Sequence, residues 1–210
     1  MIPAVVVLAA KVAVADHSGV IEYRIHQTSQ IDGGPIHKRD DIAMVVVADG
    51  DRIVGVRIFN YVENGKQQSA QTKASLAASL TGETRRFAAP FDARSFADYS
   101  YTVEGSTVHF RGIKRDAFHG DGTFTVDGAG HVTQITYSPD VLQQFATSES
   151  VAQARGEVLP GFWATTTTVT SIQGHYLIFH GGASSTLVQS GFRRFADREK
   201  ALRDLDALQE

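Results

Sequence analysis

The sequence predicts a mainly β protein: one curved antiparallel sheet of about eight to eleven strands, covered by an internal helix and followed by a C-terminal amphipathic helix. Three observations carry this reading. Short β-like runs alternate with glycine-bearing turns along most of the chain. Consecutive runs lie too close together for parallel crossovers, which need about a dozen residues each. Two stretches alone show helical periodicity, and no composition shift or polar linker divides the chain.

The first strand is read at Val20–Gln30 (VIEYRIHQTSQ), where Ile21, Tyr23 and Ile25 alternate with Glu22, Arg24 and His26. That period of two marks a half-buried strand. Asp32-Gly33-Gly34 offers a turn, and Ile36–Ala48 ends in the apolar run IAMVVVA, suited to a strand covered on both faces. Asp49-Gly50-Asp51 is a hairpin signal, with Arg52–Val62 returning from it. Glu63-Asn64-Gly65 stops that strand.

Gln67–Leu80 (QQSAQTKASLAASL) has no glycine or proline and good helix propensity. Ala70, Ala74, Ala77 and Leu80 follow i, i+4, i+7 spacing and define its expected inward face. The irregular stretch that follows carries Phe87, Phe91 and Phe96, an aromatic load that loops bear when it packs on something. These seven residues form the candidate lid and mouth of an apolar cavity.

Strands resume at Tyr99–Val103, Thr107–Lys114, Gly122–Val126 and His131–Tyr137. Val141–Val151 reads as a loop, with or without a short helix. The last strands are expected at Gln153–Leu159, Trp163–Ile172, Tyr176–His180 and Thr186–Phe195, with turns at Gln173-Gly174 and Gly181-Gly182. Asp197–Leu208 sets Ala201, Leu202, Leu205 and Leu208 on one side of a docking helix.

Several functional classes are disfavoured. Lys and Arg number 20 against 23 Asp and Glu, a formal charge of −3, which is wrong for a nucleic-acid partner. With no cysteine, disulfides, thiolate metal sites and a cysteine nucleophile are excluded. His180-Gly181-Gly182-Ala183 has the look of an esterase oxyanion element, but no G-x-S-x-G follows it. It is read as a hairpin turn. Asp116, His119 and Asp121 are weak metal-ligand candidates within an Asp/Gly turn. No cofactor motif is present, and no catalytic set is assigned.

The strands VIEYRIHQTSQ and IAMVVVADGDRIVGVRIFNYV, the helix QSAQTKASLAASL and the closing strands GHYLIFHGG and STLVQSGFRRF together resemble the LolA/LolB-like class of bacterial periplasmic lipoprotein carriers. The resemblance covers Val20 to Phe195. It implies a half-barrel whose apolar concave face is lidded by helices and takes a lipid or lipoprotein acyl chain. The lipobox cysteine of lipoprotein members is absent. The expected function is thus a non-enzymatic, exported or periplasmic protein that binds an apolar ligand. The alternatives are an envelope protein acting through protein contacts alone, and a hydrolase centred on Asp116, His119 and Asp121 or on His180.

Residues 1–15 are either an export signal or the first element, ahead of a single β domain over 16–210. The run Ile2–Ala10 is apolar but lacks a positive start, and it is short of the roughly 20 residues a spanning helix takes. Ala13-Val14-Ala15 has the small-x-small pattern of a cleavage site. Cleavage there would leave a mature chain beginning at Asp16. N-terminal sequencing of the protein from its native cells checks this, and an intact Met1 on a cytosolic protein refutes it.

Overall fold

A computed structural model describes residues 19–50, 52–83, 87–92, 94–176 and 179–208. Residues 1–15, on which the export reading falls, lie outside the described residues. The strands are β1 (Val20–Gly33), β2 (Ile36–Asp49), β3 (Arg52–Glu63), β4 (Lys66–Gln67), β5 (Gly82–Glu83), β6 (Tyr99–Glu104), β7 (Thr107–Gly112), β8 (Gly120–Val126), β9 (Val132–Pro139), β10 (Ala146–Leu159), β11 (Phe162–Tyr176) and β12 (Phe179–Phe195). The helices are α1 (Ala70–Leu80) and α2 (Arg198–Ala207), with a short 3-10 turn at Phe96–Asp98.

Among the described residues, eleven strands follow one antiparallel path, β4-β3-β2-β1-β12-β11-β10-β9-β8-β7-β6, and β5 pairs off it with β3. The sheet does not close, since β4 and β6 end the path. Two meanders therefore meet where the first strand pairs with the last. That ladder runs from Val20 opposite Phe195 to Gly33 opposite Gly181. The mainly β, antiparallel class expected from the sequence is the one observed.

Local chemistry explains the turns that position α1. Asn64 and Gly65 both have positive φ, 50° and 76°, the geometry of a two-residue type I′ hairpin. The chain thus returns as β4, with Lys66 opposite Glu63 and Gln67 opposite Val62. The helix expected to begin at Gln67 begins instead at Ala70. Ser69 caps it, its hydroxyl accepting from the Thr72 amide at 3.1 Å.

The face α1 buries also differs from the expected one. Ala70 and Ala74 are exposed and Ala77 is partly buried, whereas Leu76 and Leu80 are fully buried against Ile21, Tyr23, Ile25, Ile42 and Met44. The pair Leu76/Leu80 is itself an i, i+4 stripe. Two leucines remove far more apolar area from water than a row of alanines, so they set the rotation of the helix.

On the opposite face of the sheet, α2 docks as expected. Asp197 caps it by accepting from the Lys200 amide at 2.7 Å, and Ala201 and Leu205 are buried against Val20, Val45 and Val47. Gly55 permits the approach: a Cβ there would stand 2.7 Å from Leu202 and 2.8 Å from Leu205. Arg57 donates to the carbonyls of Leu205 and Asp206, where the negative end of the helix dipole lies.

The strands of the C-terminal half are longer than the sequence reading. Val141–Val151 was expected as a loop, but β10 already starts at Ala146. The turns expected at Gln173-Gly174 and Gly181-Gly182 are not turns, because both pairs lie inside β11 and β12. Their residues are paired across the hairpin, Gln173 with Gly182 and Gly174 with Gly181.

Replacing Leu76 with Ala should cost about 2–5 kcal/mol in urea unfolding, while Ala74→Leu should change stability by no more than about 0.5 kcal/mol. A large loss at Ala74 with none at Leu76 would restore the alanine stripe as the buried face.

Candidate functional site

Strand register assembles the inner face of the sheet, the face on which α1 sits. One cross-strand row is Gln27, Leu187, Thr168 and Gln153, continued by Ile135 and Phe124. The next is Ser29, Ser185, Thr170 and Val151, continued by Tyr137 and Gly122. The third is Ile31, Ala183, Ile172 and Glu149, and the last is Gly33, Gly181, Gly174 and Ala146. Same-face rows stand roughly 7 Å apart along a strand.

Three zones follow from these rows. An apolar cluster on β1–β3, joined by Phe162, Ala164 and Leu187, packs under α1, and a second on β6–β10 comprises Tyr99, Phe110, Phe124, Ile135, Tyr137 and Val151. Between them lies a belt of buried polar side chains: Gln27, Ser29, Asp40, Ser185, Thr168, Thr170, Gln153 and Glu149. Beyond the belt, at the strand ends, is an apolar pocket of about 240 Å³.

The pocket owes its floor to glycine. Gly33, Gly181 and Gly174 lie side by side on three neighbouring strands, and Ile31, Ile172 and Ala183 form its inner row. A Cβ on Gly181 would run into the backbone of Asp32 and Gly33, and one on Gly174 into the Phe145 carbonyl. Gly174 and Gly181 are needed because the strands there approach too closely for any side chain. Ile36 and Phe145 stand at the mouth, 58% and 54% exposed. Phe145 has φ 70°, a left-handed conformation that costs a bulky L-residue about 1–2 kcal/mol. Its carbonyl accepts from the His175 amide at 3.0 Å, so β11 holds the strained residue in place.

The belt is electrostatically loaded. Lys38 Nζ lies 2.9 Å from Glu63 and 3.7 Å from Asp40, and the Tyr61 hydroxyl donates to Glu63 at 3.2 Å. The lysine holds the Glu63 carboxyl below its ordinary range. Burial pushes the Asp40 and Glu149 carboxyls up, since desolvation penalises the charged form. Glu149 accepts from Gln143 Nε2 at 3.4 Å.

The residues predicted from sequence as lid and mouth are scattered relative to this pocket. Phe87 stacks on Tyr137 at 3.7 Å between ring centres, and Phe91 meets Phe124 edge-on at 5.8 Å with the Arg155 guanidinium 4.8 Å above it. Both cover the second apolar cluster. Phe96 is exposed and stacks on Tyr101 at 4.6 Å. Leu80 and Ala77 belong to the first cluster, while Ala70 and Ala74 face away from it. The sequence reading missed Leu76, the glycine row, Ala183 and Phe145. A signal for the glycine row was present: Gly174 and Gly181 interrupt otherwise strand-like runs with no Asn, Asp or Pro beside them.

The turn Asp116–Asp121 divides its side chains among different partners. His119 is buried, with Nδ1 2.6 Å from Asp116 and Nε2 3.4 Å from Asp98. Asp121 instead accepts from the Gly112 amide at 3.0 Å and pairs with Arg111 and Arg115, the latter also bound to Asp140. Lys114 meets Asp98 at 2.6 Å. His119 lowers the Asp116 carboxyl and Lys114 that of Asp98. Among the described residues no group of three or more His, Asp or Glu is arranged to hold a metal ion. No described helix is long and apolar enough to cross a membrane.

No family model and no curated protein matches the chain. Among solved structures it is similar to lipovitellin, from work on lipid–protein interactions in that protein, at 9% identity and a TM-score of 0.46. That match covers 87% of this chain and 26% of lipovitellin, so the chain spans about a quarter of that protein's length. It is also similar to a Vibrio parahaemolyticus domain named for outer membrane lipoprotein sorting, at 11% identity and a TM-score of 0.45, over 95% of this chain and 94% of that one.

Glu149 supplies a pH test. Its folded-state pKa is raised, so the folded protein holds a proton that the unfolded chain releases, and stability falls as pH rises above its ordinary value of 4.5. Glu149→Gln removes that loss. The variant should melt a few degrees above the parent at pH 7, with the gap closing by pH 4. A gap that stays constant across this range, or a less stable variant at pH 7, would contradict the assignment.

Proposed function

We propose that this protein binds an apolar ligand, a lipid tail or acyl chain, in the glycine-floored pocket at the open end of the inner face, and catalyses no reaction on it. The observation that carries this reading is the pocket itself: a row of side-chain-free backbone beneath Ile31, Ile172 and Ala183, with Ile36 and Phe145 exposed at its mouth. Ligand pockets usually run to about 300–1,000 Å³ and are lined by apolar groups with a few placed polar ones. At about 240 Å³ this pocket suits a single chain end. The strain at Phe145 supports the same reading, because unfavourable backbone persists where it serves a site.

In this reading α1, through Leu76 and Leu80, and the segment 87–98, through Phe87 and Phe91, are the covers of the inner face. They lid it as the expected helix and aromatic stretch would, with leucines in place of alanines as the anchors. A periplasmic or otherwise exported location belongs to the same proposal. A second reading, contact with another protein, is favoured by the exposed Val103 and Ile113 near the β6 end of the sheet.

The test is binding of an environment-sensitive apolar dye, N-phenyl-1-naphthylamine, to the full chain. The parent should bind it with micromolar affinity. Ala183→Trp, which fills the pocket from its inner row, should weaken binding at least tenfold and move Tm by less than about 2 °C. A parent that leaves the dye in water, or a variant that binds it equally well, would end the reading.

A further inference from the structure

Beyond the pocket, the belt contains buried polar atoms that make no hydrogen bond among the described residues. Gln27 is 1% exposed, Thr168 2% and Asp40 4%, yet Gln27 Oε1, Thr168 Oγ1 and Asp40 Oδ1 make no hydrogen bond among the described residues. A buried polar atom left unsatisfied is costly, and native proteins pair nearly all of them with protein, water or ligand. Three such atoms on one face, in the rows next to the apolar pocket, call for a common explanation.

Gln27 is oriented by its own neighbour. Its Nε2 donates to Ser185 Oγ on β12 at 3.1 Å, while Oε1 makes no hydrogen bond among the described residues. Asp40 Oδ2 accepts from Ser29 at 3.4 Å, while Oδ1 stands 3.7 Å from Lys38. Of the three atoms, the amide oxygen can only accept, Asp40 Oδ1 accepts while its carboxyl is ionised beside Lys38, and the threonine hydroxyl does either. The groups missing from the site are therefore donors. An anionic head would bring acceptors to acceptors beside Glu63, with Lys38 already engaged.

Resting on the reading of the pocket as an acyl-chain site, we infer that the belt seats the ligand's head, and that this head is neutral and hydroxyl-bearing, as in a glycerol ester. The tail then lies over Ile31, Ala183 and Ile172 toward the glycine floor, and the hydroxyls donate to Gln27 Oε1 and Asp40 Oδ1 and pair with Thr168 Oγ1. The rows of Ile31 and Gln27 are four residues apart along β1, about 13 Å, a span that a medium-length acyl ester covers.

The experiment compares two probes of equal chain length, 1-monolauroylglycerol and laurate, by calorimetric titration of the full chain at neutral pH. The parent should bind the glycerol ester at least tenfold more tightly than laurate. Thr168→Val and Gln27→Leu should each reduce that ratio at least threefold, leaving laurate affinity and melting temperature near those of the parent. Equal affinity for the two probes, or a ratio that both variants leave intact, overturns the inference while the pocket reading stands; the open atoms then hold ordered water only. Binding of neither probe overturns the pocket reading and this inference with it.

Discussion

The ladder between β1 and β12 is the interaction on which the rest of the structure depends. It joins the two ends of the described chain side by side in the middle of the sheet, so each half of the protein grows outward as a meander from that seam. One consequence is topological. The chain leaves the first meander at the β4 edge and must enter the second at the β6 edge, at the far end of the sheet. The connection that makes this journey carries α1 and the aromatic segment. Leu76 and Leu80 drop into the first apolar cluster and Phe87 and Phe91 into the second, so a single crossing covers both halves of the inner face.

The crossing is anchored by hydrogen bonds as well as by apolar burial. The Ala88 amide donates to the Phe118 carbonyl at 2.7 Å, and the Tyr99 and Tyr101 hydroxyls donate to the carbonyls of Ala88 and Pro90. Satisfying backbone groups this way lets an irregular segment lie against a sheet without leaving buried carbonyls unpaired. The tyrosines serve twice, ring against cluster and hydroxyl against backbone, which is why aromatic residues recur on β6.

Between the clusters the inner face changes character. Serine, threonine and glutamine replace the leucine and isoleucine of a uniformly apolar core, and two carboxyls are buried among them. Such a belt gains little from the hydrophobic effect and carries desolvation costs at Asp40 and Glu149. These costs set it apart from the apolar clusters on either side. The glycine row next to it tells a similar story, since three neighbouring strands give up side chains and Phe145 accepts a strained backbone to shape one pocket.

The sequence by itself determined the antiparallel β class, the positions of β1 to β3 and the C-terminal helix, because alternation along a strand and a 3.6-residue stripe are local properties. It also placed a helix after β3, and an aromatic segment that must pack on something. What only the tertiary structure decided was which stripe of α1 faces inward, since both alanine and leucine stripes satisfy helical spacing and the choice falls to the area each buries. The same holds for Gly174 and Gly181. Locally a glycine pair is a turn, but here neighbouring backbones press so closely that no Cβ fits, and only strand register across β1, β12 and β11 reveals it. The polar belt is the extreme case: Gln27, Asp40, Ser185 and Thr168 are unremarked strand residues along the chain, and become one buried band only when four strands bring them to the same face.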